Sequence, residues 1–466
     1  MNGTTRFGRT KTLHFVGIGG SGMSGIAEIL LNMGYKVTGS DLSENEAARH
    51  LKNNGAIVHA GHAASNVGEA DVVVVSSAVR PDNPEVLEAR SRLIPVIPRA
   101  EMLAELMRMK HSVAVAGAHG KTTTTSMTAV TLTKGGFDPT IIIGGRVDRF
   151  GSGAKLGEGE FLVAEADESD GSFLKLYPTF AIVTNIDAEH LDHYGSFAKI
   201  KDAFVEFINK IPFYGVAVLC QDDPAVQEII PRVTKRFRTY GITSTADLTA
   251  RDIRFERFNS SFTVALHGTE LGRVTIAMPG IHNVYNSLAA MSVGLELSMN
   301  PVDIVASLDG FKGVQRRCQV KGEANGVMVI DDYGHHPNEI KATLRAIKEG
   351  FSDRRLMVVF QPHRYTRTRD QMDEFHKAFY DADELLVTEI YAASEQPIEG
   401  ISGESIARGA AAHGKKGTRF TPTLDDALAS LLSNAKKGDI ILTLGAGSVT
   451  GLGPRFLEEY GKSGKA

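Results

Sequence analysis

The sequence is poor in cysteine and has no long apolar run. Its two cysteines, Cys220 and Cys318, lie far apart and in no metal-like spacing. This usage fits a reducing compartment without a disulfide framework. Glycines soon interrupt the apolar stretch that follows the polar N-terminus, so we expect neither a signal peptide nor a membrane-spanning helix. Together these features favour a cytoplasmic protein that does not act in a membrane.

Blocks of like charge are also missing. The chain carries 51 Lys and Arg residues against 55 Asp and Glu residues, a net charge of −4. Without a basic block, we do not expect nucleic acid as a partner, although local basic pockets for small anions remain possible. The 466 residues, 42% of them hydrophobic, are enough for roughly three domains of about 150 residues each. Nothing in the sequence indicates the oligomeric state.

The most informative stretch is a glycine-rich turn in the middle of the chain. An apolar run from Val113 leads into Gly117, Gly120, Lys121 and Thr122, which predicts a strand, a phosphate-binding turn and a helix. The lysine would meet the outer phosphates, and the threonine hydroxyl is placed to contact a phosphate-bound magnesium. The glycines stand closer together than in the usual P-loop, and an ordinary strand-to-helix turn is the alternative.

A second glycine pattern lies near the N-terminus. A predicted strand precedes Gly17, Gly19 and Gly22, a helix and a strand follow, and Asp41 comes 19 residues after Gly22. This is the Rossmann fingerprint, in which the acid holds a ribose. Taken alone it indicates NAD or FAD, but the same turn can hold any pyrophosphate, including that of a nucleotide sugar.

Polar side chains follow several other predicted strands. Glu165 opens an acidic run at 165–170 and could hold a hard cation beside phosphates; the alternative is a solvated loop. Arg364 and Arg367 follow an apolar strand and could converge on one carboxylate.

The spacing alone favours Asn283 or Asn286 as a helix cap. Residues 248–276 alternate and predict a hairpin-like β segment.

Taken together, the motifs resemble the Mur ligases over nearly the whole chain. One departure is Ala118, where that family commonly has threonine. The motifs that carry the resemblance are Gly17-Ile-Gly-Gly-Ser-Gly-Met-Ser-Gly-Ile-Ala-Glu28, Gly117-Ala-His-Gly-Lys-Thr-Thr123, Glu165-Ala-Asp-Glu-Ser-Asp170, Thr184-Asn-Ile-Asp-Ala-Glu-His190, His282-Asn-Val-Tyr-Asn286, Asp331-Asp-Tyr-Gly-His-His-Pro337 and Gln361-Pro-His-Arg-Tyr-Thr-Arg367.

The resemblance implies an α/β fold of three domains: a Rossmann-like UDP-sugar domain at 1–108, a central ATP-binding domain at 109–312 and a Rossmann-like amino-acid domain at 313–466. The central domain would have a mostly parallel sheet plus the small β segment. The implied reaction joins L-alanine to the lactyl carboxylate of UDP-N-acetylmuramate through an acyl phosphate. It would use ATP and Mg²⁺, give ADP and phosphate, and serve peptidoglycan precursor synthesis.

The resemblance also assigns residues to roles. The implied catalytic residues are Lys121, Glu165, His190 and Arg317, the last reaching the γ-phosphate from the domain junction. Mg²⁺ would be held by Thr122, Glu165 and His190. UDP-sugar binding falls to Gly17, Gly19, Gly20, Ser21, Gly22, Asp41 and Ser77. ATP binding falls to Gly117, Ala118, His119, Gly120, Lys121, Thr122, Thr123, Asn283, Asn286 and Asp332. L-Alanine binding falls to Tyr333, His335, Arg364 and Arg367.

Three other functions compete with this interpretation. A nicotinamide-dependent oxidoreductase would leave the Lys121 turn and the arginine pair without a role. A non-catalytic nucleotide-binding ATPase would turn over ATP without an acceptor. The nearest alternative is a sister ligase that adds a recycled tripeptide to the same UDP-sugar, because the amino-acid pocket cannot be sized from the sequence.

Overall fold

The computed structural model describes residues 7–143 and 153–463, in which strands and helices alternate around three sheets. The first sheet is built from β1 (Thr12–Val16), β2 (Lys36–Asp41), β3 (Ile57–Ala60), β4 (Val72–Val75) and β5 (Val96–Pro98). Its strands are all parallel and stand in the order β3-β2-β1-β4-β5. The helices of this region are α1 (Ser21–Asn32), α2 (Glu46–Asn53), α3 (Pro84–Ser91) and α4 (Arg99–Arg108).

The second sheet is the largest. Its strands are β6 (His111–Ala116), β7 (Thr140–Ile142), β8 (Ala154–Lys155), β9 (Phe161–Glu165), β10 (Phe180–Val183), β11 (Val216–Cys220), β12 (Phe237–Gly241), β13 (Leu248–Glu256), β14 (Asn259–Leu266) and β15 (Thr269–Ile276). They stand in the order β15-β14-β13-β12-β11-β10-β6-β9-β7-β8. Its helices are α5 (Lys121–Lys134), α6 (Leu191–Tyr194), α7 (Phe197–Asn209), α8 (Pro224–Ile229), α9 (Ile281–Glu296) and α10 (Pro301–Ser307). The predicted β segment at 248–276 is confirmed as three strands.

The third sheet comprises β16 (Gln319–Ala324), β17 (Val327–Asp332), β18 (Leu356–Phe360), β19 (Glu384–Val387), β20 (Thr418–Phe420) and β21 (Ile440–Leu444). The order is β16-β17-β21-β18-β19-β20, and β16 runs antiparallel to β17 while the other neighbours are parallel. Its helices are α11 (Pro337–Gly350), α12 (Tyr365–Asp370), α13 (Met372–His376), α14 (Gly403–Ala412), α15 (Leu424–Asn434) and α16 (Leu452–Ser463).

The central parallel strands of the third sheet, β21 and β18, are buried on both faces. Val358 and Phe360 point into one apolar cluster, and Met357 and Val359 point into another. Successive side chains of a strand alternate between faces, so helices must cover both sides of a run such as Leu356–Phe360. This pattern leaves the polar residues that follow each strand as the natural place for chemistry.

The fold divides into two compact units. The first contains residues 1–251, 263–274 and 285–309, and the second contains 252–262, 275–284 and 310–466. The predicted α/β class with mostly parallel sheets is confirmed. No helix in the described part of the chain has both the length and the hydropathy needed to cross a bilayer.

Candidate functional site

The Lys121 turn joins the end of β6 to the start of α5, as the sequence predicts. Gly117 and Gly120 adopt φ values of 133° and 81°. A Cβ on Gly117 would lie 2.1 Å from Thr184 Oγ1, and one on Gly120 would lie 2.6 Å from Asn286 Oδ1. Both positions therefore require glycine. No side chain caps the N-terminus of α5, so its first N–H groups form an anion-binding end.

The segment after β10 fixes the backbone of this turn. The His119 N–H donates to Asn185 Oδ1 at 2.8 Å, and Thr184 Oγ1 donates to the His119 carbonyl at 2.7 Å. The Ala118 N–H donates to the Asn185 carbonyl at 3.2 Å. Alanine at position 118 is compatible with this arrangement because its contact uses only the backbone.

Lys121 is held by oxygen atoms on three sides. Its Nζ donates to the carbonyls of Gly117 (2.6 Å) and Ala118 (3.2 Å) and to Glu168 Oε1 at 2.8 Å. Burial acts to lower the pKa of Lys121, but the neighbouring Glu168 carboxylate raises it above its ordinary value overall. The lysine is therefore a cation at neutral pH, poised where the turn can hold phosphate. Glu168 was not among the predicted site residues.

Further carboxylates and imidazoles lie next to the ion pair between Lys121 and Glu168. His190 Nε2 lies 3.9 Å from Glu168 Oε1 and 3.5 Å from Glu189 Oε2. His119 Nε2 lies 3.4 Å from Glu189 Oε1 and 3.2 Å from Asp187 Oδ2. The ring of His119 thus faces two acids that follow β10, a placement that its position within the turn did not reveal.

The predicted Mg²⁺ ligands lie at this same edge of the second sheet. Glu165 ends β9 in register with Val115, just before the turn, and Thr122 lies in the first turn of α5. His190 precedes α6 with a φ of 56°. Oxygen donors of this kind suit a hard cation, and the buried Oε2 of Glu168 has no hydrogen-bond partner within the described residues. The donor set fits Mg²⁺, with imidazole its least typical member.

Asn286 of α9 lies beside the turn, within the same compact unit. Asn286 Oδ1 accepts a hydrogen bond from Thr124 Oγ1 at 3.0 Å, which ties α9 to α5. Asn283 donates from Nδ2 to the Pro279 carbonyl at 2.7 Å. Thr123 is buried within α5. Asn286 is thereby placed beside Gly120 and lies within α9 rather than at its cap; its predicted contact with ATP stays a prediction.

The N-terminal glycine turn follows β1 and opens α1. The N–H groups of Gly17 and Ile18 donate to the Ser40 carbonyl at 2.9 and 3.0 Å. The Gly19 N–H donates to Asp41 Oδ2 at 2.9 Å. Asp41, which is predicted to hold a ribose, thus also fixes the backbone of the glycine turn through a hydrogen bond. Gly20 precedes α1, which begins at Ser21 and has no side-chain cap.

Two further residues complete the description of this N-terminal region. Ser77 is exposed in the loop after β4. A Cβ on Gly22 would lie 2.8 Å from Arg99 Nη1, so a larger residue there would displace the end of this arginine. Arg99 in turn pairs with Asp167 at 3.0 Å. The predicted UDP-sugar residues therefore flank the start of α1 and the ends of neighbouring strands.

Within the second unit, Asp332 braces the segment that carries Arg317. One of its carboxylate oxygens accepts the Cys318 N–H and the other accepts the Gly334 N–H, each at 2.7 Å. Burial raises the pKa of Asp332 to about 6. Arg317 lies with its guanidinium carbon 5.5 Å from the centre of the Tyr333 ring. Asp332 therefore has a clear structural role, and its predicted contact with ATP stays a prediction.

Side chains from separate strand ends meet in a second cluster of this unit. His335 follows β17, His363 follows β18, and their rings lie 5.8 Å apart. The Tyr333 ring stands edge-on to His335 at 5.4 Å. Arg367 Nη1 donates to the His363 carbonyl at 3.0 Å and lies 3.1 Å from His363 Nδ1. Three of the predicted amino-acid-binding residues are therefore brought together with His363, which the prediction omitted.

The backbone at Arg364 has a special conformation. Its φ is 72°, in the left-handed region, and its N–H donates to the Tyr391 carbonyl at 2.9 Å. Tyr391 stacks on His363 with ring centres 5.7 Å apart. A strained non-glycine residue at the start of α12 marks a position that the surrounding structure enforces. Arg364 and Arg367 thus flank the cluster.

Burial keeps the two imidazoles of this cluster neutral. It lowers the pKa of His335 to about 3 and that of His363 to about 4. With both rings neutral, the guanidinium of Arg367 carries the positive charge that could meet a carboxylate ligand, while the Glu339 carboxylate lies 3.6 Å from His335 Nδ1.

Sequence reasoning missed Glu168, Asp187, Glu189 and His363, although signals for them existed. Each lies inside a motif already recognised: two follow β10, one belongs to the acidic run and one stands directly before Arg364. Membership of a quoted motif was the signal, but the approach of Glu168 to Lys121 is set by the folded sheet and not by local sequence.

Comparison with known proteins matches three family models to successive parts of the chain. Residues 12–111 match the model described as "Mur ligase family, catalytic domain". Residues 115–294 match the "Mur ligase middle domain", and residues 316–447 match "Mur ligase, glutamate ligase domain".

Curated relatives are similar over almost their full length. A UDP-N-acetylmuramate–L-alanine ligase of Geotalea daltonii is 60% identical over 97% of this chain and 99% of its own. The protein of the same name in Geobacter sulfurreducens is 56% identical over 99% of this chain and 100% of its own. A crystal structure of UDP-N-acetylmuramate–alanine ligase from Thermotoga maritima superimposes with a TM-score of 0.83 at 30% identity, covering 98% and 100% of the two chains.

Proposed function

The chain belongs to the Mur ligase family, and on that premise we propose that it joins L-alanine to the lactyl carboxylate of UDP-N-acetylmuramate. ATP is consumed and gives ADP and phosphate, in the synthesis of peptidoglycan precursors. The near-full-length identity of 60% to a ligase of that name carries the proposal. The Lys121 turn and the His335–Arg367 cluster supply chemistry of the required kind. Because its substrates are nucleotides and an amino acid, we place the reaction in the cytoplasm.

The reaction must first activate a carboxylate, which is a poor electrophile. A lactyl oxygen attacks the γ-phosphorus, the bond to the β-phosphate oxygen breaks, and ADP leaves. The amine of L-alanine then attacks the acyl carbon of the acyl phosphate, phosphate departs with the C–O bonding electrons, and the amine loses a proton. Both halves bring anions together, so positioned cations and N–H groups supply most of the catalysis.

The Lys121 turn of the first unit serves the phosphate end of the reaction. Lys121 and the open N-terminus of α5 hold the β- and γ-phosphates, and the backbone of Gly117, Ala118, His119 and Gly120 shapes the turn around them. Thr123, Asn283, Asn286 and Asp332 contribute to ATP binding. Thr122, Glu165 and His190 would hold Mg²⁺, which when bound neutralises phosphate charge.

The two remaining substrates use the other predicted residues. The N-terminal glycine turn, Gly17 to Gly22 with Asp41 and Ser77, binds the UDP-sugar. Arg364 and Arg367 hold the carboxylate of L-alanine, and Tyr333 and His335 line its pocket. Arg317 acts on the transferred phosphate. For these roles we take domain boundaries at 108 and 312.

The deciding experiment is phosphate release from ATP with UDP-N-acetylmuramate and a panel of acceptors: L-alanine, glycine, L-serine and a tripeptide. We expect L-alanine to give the highest kcat/KM. Release that depends only on the tripeptide would reassign the chain to the sister reaction. Release that is independent of any acceptor would leave only an ATPase.

A further inference from the structure

Glu339 connects two parts of the second unit that are predicted to serve different substrates. It is the third residue of α11, and its side chain is only 12% exposed. Oε2 accepts the N–H groups of His335 and His336 at 3.0 and 3.3 Å. Oε1 accepts from Arg317 Nη1 at 3.2 Å. One carboxylate thus holds both the turn after β17 and a guanidinium from the segment before β16.

Helix capping explains only one of these two contacts. His336 and Glu339 form a capping box at the start of α11, and in such a box the third residue bonds back to the N-terminal backbone. That role uses one oxygen and would be filled equally well by glutamine. The ion pair with Arg317 uses the second oxygen and requires the charge.

The neighbouring arginine shows that the two guanidiniums are held differently. Arg316 donates from Nε to Asp331 at 3.2 Å and from Nη2 to the Gly445 carbonyl at 2.7 Å. The first acceptor lies in β17, and the second directly follows β21. Both guanidiniums lie over the Tyr333 ring, at 4.8 Å for Arg316 and 5.5 Å for Arg317. Arg317 differs in its hydrogen bond to Glu339, the carboxylate that also holds the turn carrying His335. Any displacement of that turn would therefore be transmitted to Arg317.

We propose that Glu339 is a positioning residue that holds Arg317 and the His335 turn in one fixed geometry. The arginine that acts on the transferred phosphate is then aligned only when the L-alanine pocket is formed. The inference rests on the proposed function, which gives Arg317 and His335 their roles. Glu339 itself touches no substrate in this scheme. Its effect passes through the two groups that it holds.

The substitution Glu339→Gln separates the two contacts. Glutamine can keep its oxygen on the His335 and His336 N–H groups while its amide loses the charge that Arg317 needs. We expect kcat for L-alanine-dependent phosphate release to fall about 30-fold with the KM for L-alanine changed less than about threefold. Glu339→Ala removes both contacts, so it should also raise the KM for L-alanine.

Asp426→Asn is the matched control, because Asp426 occupies the same position of the capping box that Thr423 forms at α15. Within the described residues, its carboxylate accepts hydrogen bonds from Thr423 alone. We expect this variant to keep wild-type kinetics. Equal losses in both variants would mean that capping, not positioning, explains Glu339, and would overturn the proposal.

A double-mutant cycle tests whether the effect passes through Arg317. If it does, Glu339→Gln combined with Arg317→Ala should be no slower than Arg317→Ala alone. Independent, multiplicative losses would overturn the proposal. Should Glu339→Gln fold poorly, Glu339→Asp can replace it, because aspartate still suits a helix N-terminus but is one methylene too short to hold both groups.

The kinetics of the unaltered protein distinguish failure of the proposed function from failure of the proposed role of Glu339. Absence of L-alanine-dependent phosphate release by the unaltered protein would contradict the proposed function. Normal release by the unaltered protein, with additive losses in the cycle, would contradict only the role of Glu339.

Discussion

In the Lys121 turn, the backbone N–H groups and the cation come from neighbouring residues, Gly117 to Lys121. The C-terminal cluster instead draws Tyr333, His335, His363 and Arg367 from different strand ends. The charges are also managed differently. Lys121 is balanced by the buried carboxylate of Glu168 at 2.8 Å, while the histidines around Arg367 are kept neutral by burial. Changes in the turn should therefore stop the chemistry, and changes in the cluster should mainly weaken binding.

The largest effect is expected from Lys121→Ala. Without the cation, the phosphates lose their main protein counter-charge, and L-alanine-dependent phosphate release should fall by at least about 10³-fold. Lys134→Ala is the matched control, since Lys134 ends the same helix and is exposed. Near-normal turnover in the Lys121 variant would contradict the phosphate-binding role of the turn.

Glu168→Gln should show how much the buried ion pair with Lys121 contributes to the free energy of unfolding. The variant leaves Lys121 as a largely buried cation without its carboxylate, so the free energy of unfolding should fall by about 3 kcal/mol. The measurement is urea denaturation followed by circular dichroism. Glu228→Gln removes a more exposed carboxylate, 60% exposed and paired with Lys201, and should cost less than about 0.5 kcal/mol. Similar losses in the two variants would show that the Lys121 pair is not a special buried contact.

The turn was predictable from the sequence because its requirements are local. Gly117 and Gly120 need positive φ, and Lys121 follows at once, so the pattern is complete within five residues. Glu168 and Asn185 contact this turn from other strands, and no local pattern specifies that approach. The fold class was predictable for a similar reason, since apolar runs such as Leu356–Phe360 and the helices between them are visible in the sequence.

The C-terminal cluster was predicted less completely because it depends on long-range packing. Arg364 and Arg367 were recognised as a pair, but the contact of Arg367 with His363 follows from the short helix α12. Glu339 was missed because a glutamate three residues after a helix cap reads as a capping residue. Its second oxygen finds Arg317 only once β16 and β17 have paired.

Arg367→Ala should change binding more than chemistry, in contrast with Lys121→Ala. A lost guanidinium–carboxylate contact should raise the KM for L-alanine about 50-fold and leave the KM for ATP within about threefold. Steady-state kinetics with each substrate varied in turn gives both values. Arg369→Ala is the control, because Arg369 is 52% exposed and pairs with Asp370. If both variants raise the KM for L-alanine equally, the cluster around His363 is not the amino-acid site.

The smallest expected effect is the pH dependence that His335 gives to stability. Burial lowers its pKa from 6.5 to about 3, so between pH 6.5 and 3 the unfolded chain binds a proton that the folded chain does not. The stabilisation is fully present above pH 6.5 and is lost as the pH falls. Linkage gives a loss of about 2 kcal/mol between pH 7 and pH 5.

His335→Gln should remove that contribution, so the difference in unfolding free energy between wild type and variant should narrow by about 2 kcal/mol from pH 7 to pH 5. Urea denaturation at both pH values measures it. Glu339, Arg367 and His363 face His335 and remain in the variant, and His413→Gln, at an exposed histidine of the same unit, is the control. If the difference in unfolding free energy between wild type and variant stays constant across this range, His335 binds a proton in the folded protein as readily as in the unfolded chain. The cluster would then hold a positive charge that needs a partner, as the Lys121 turn does.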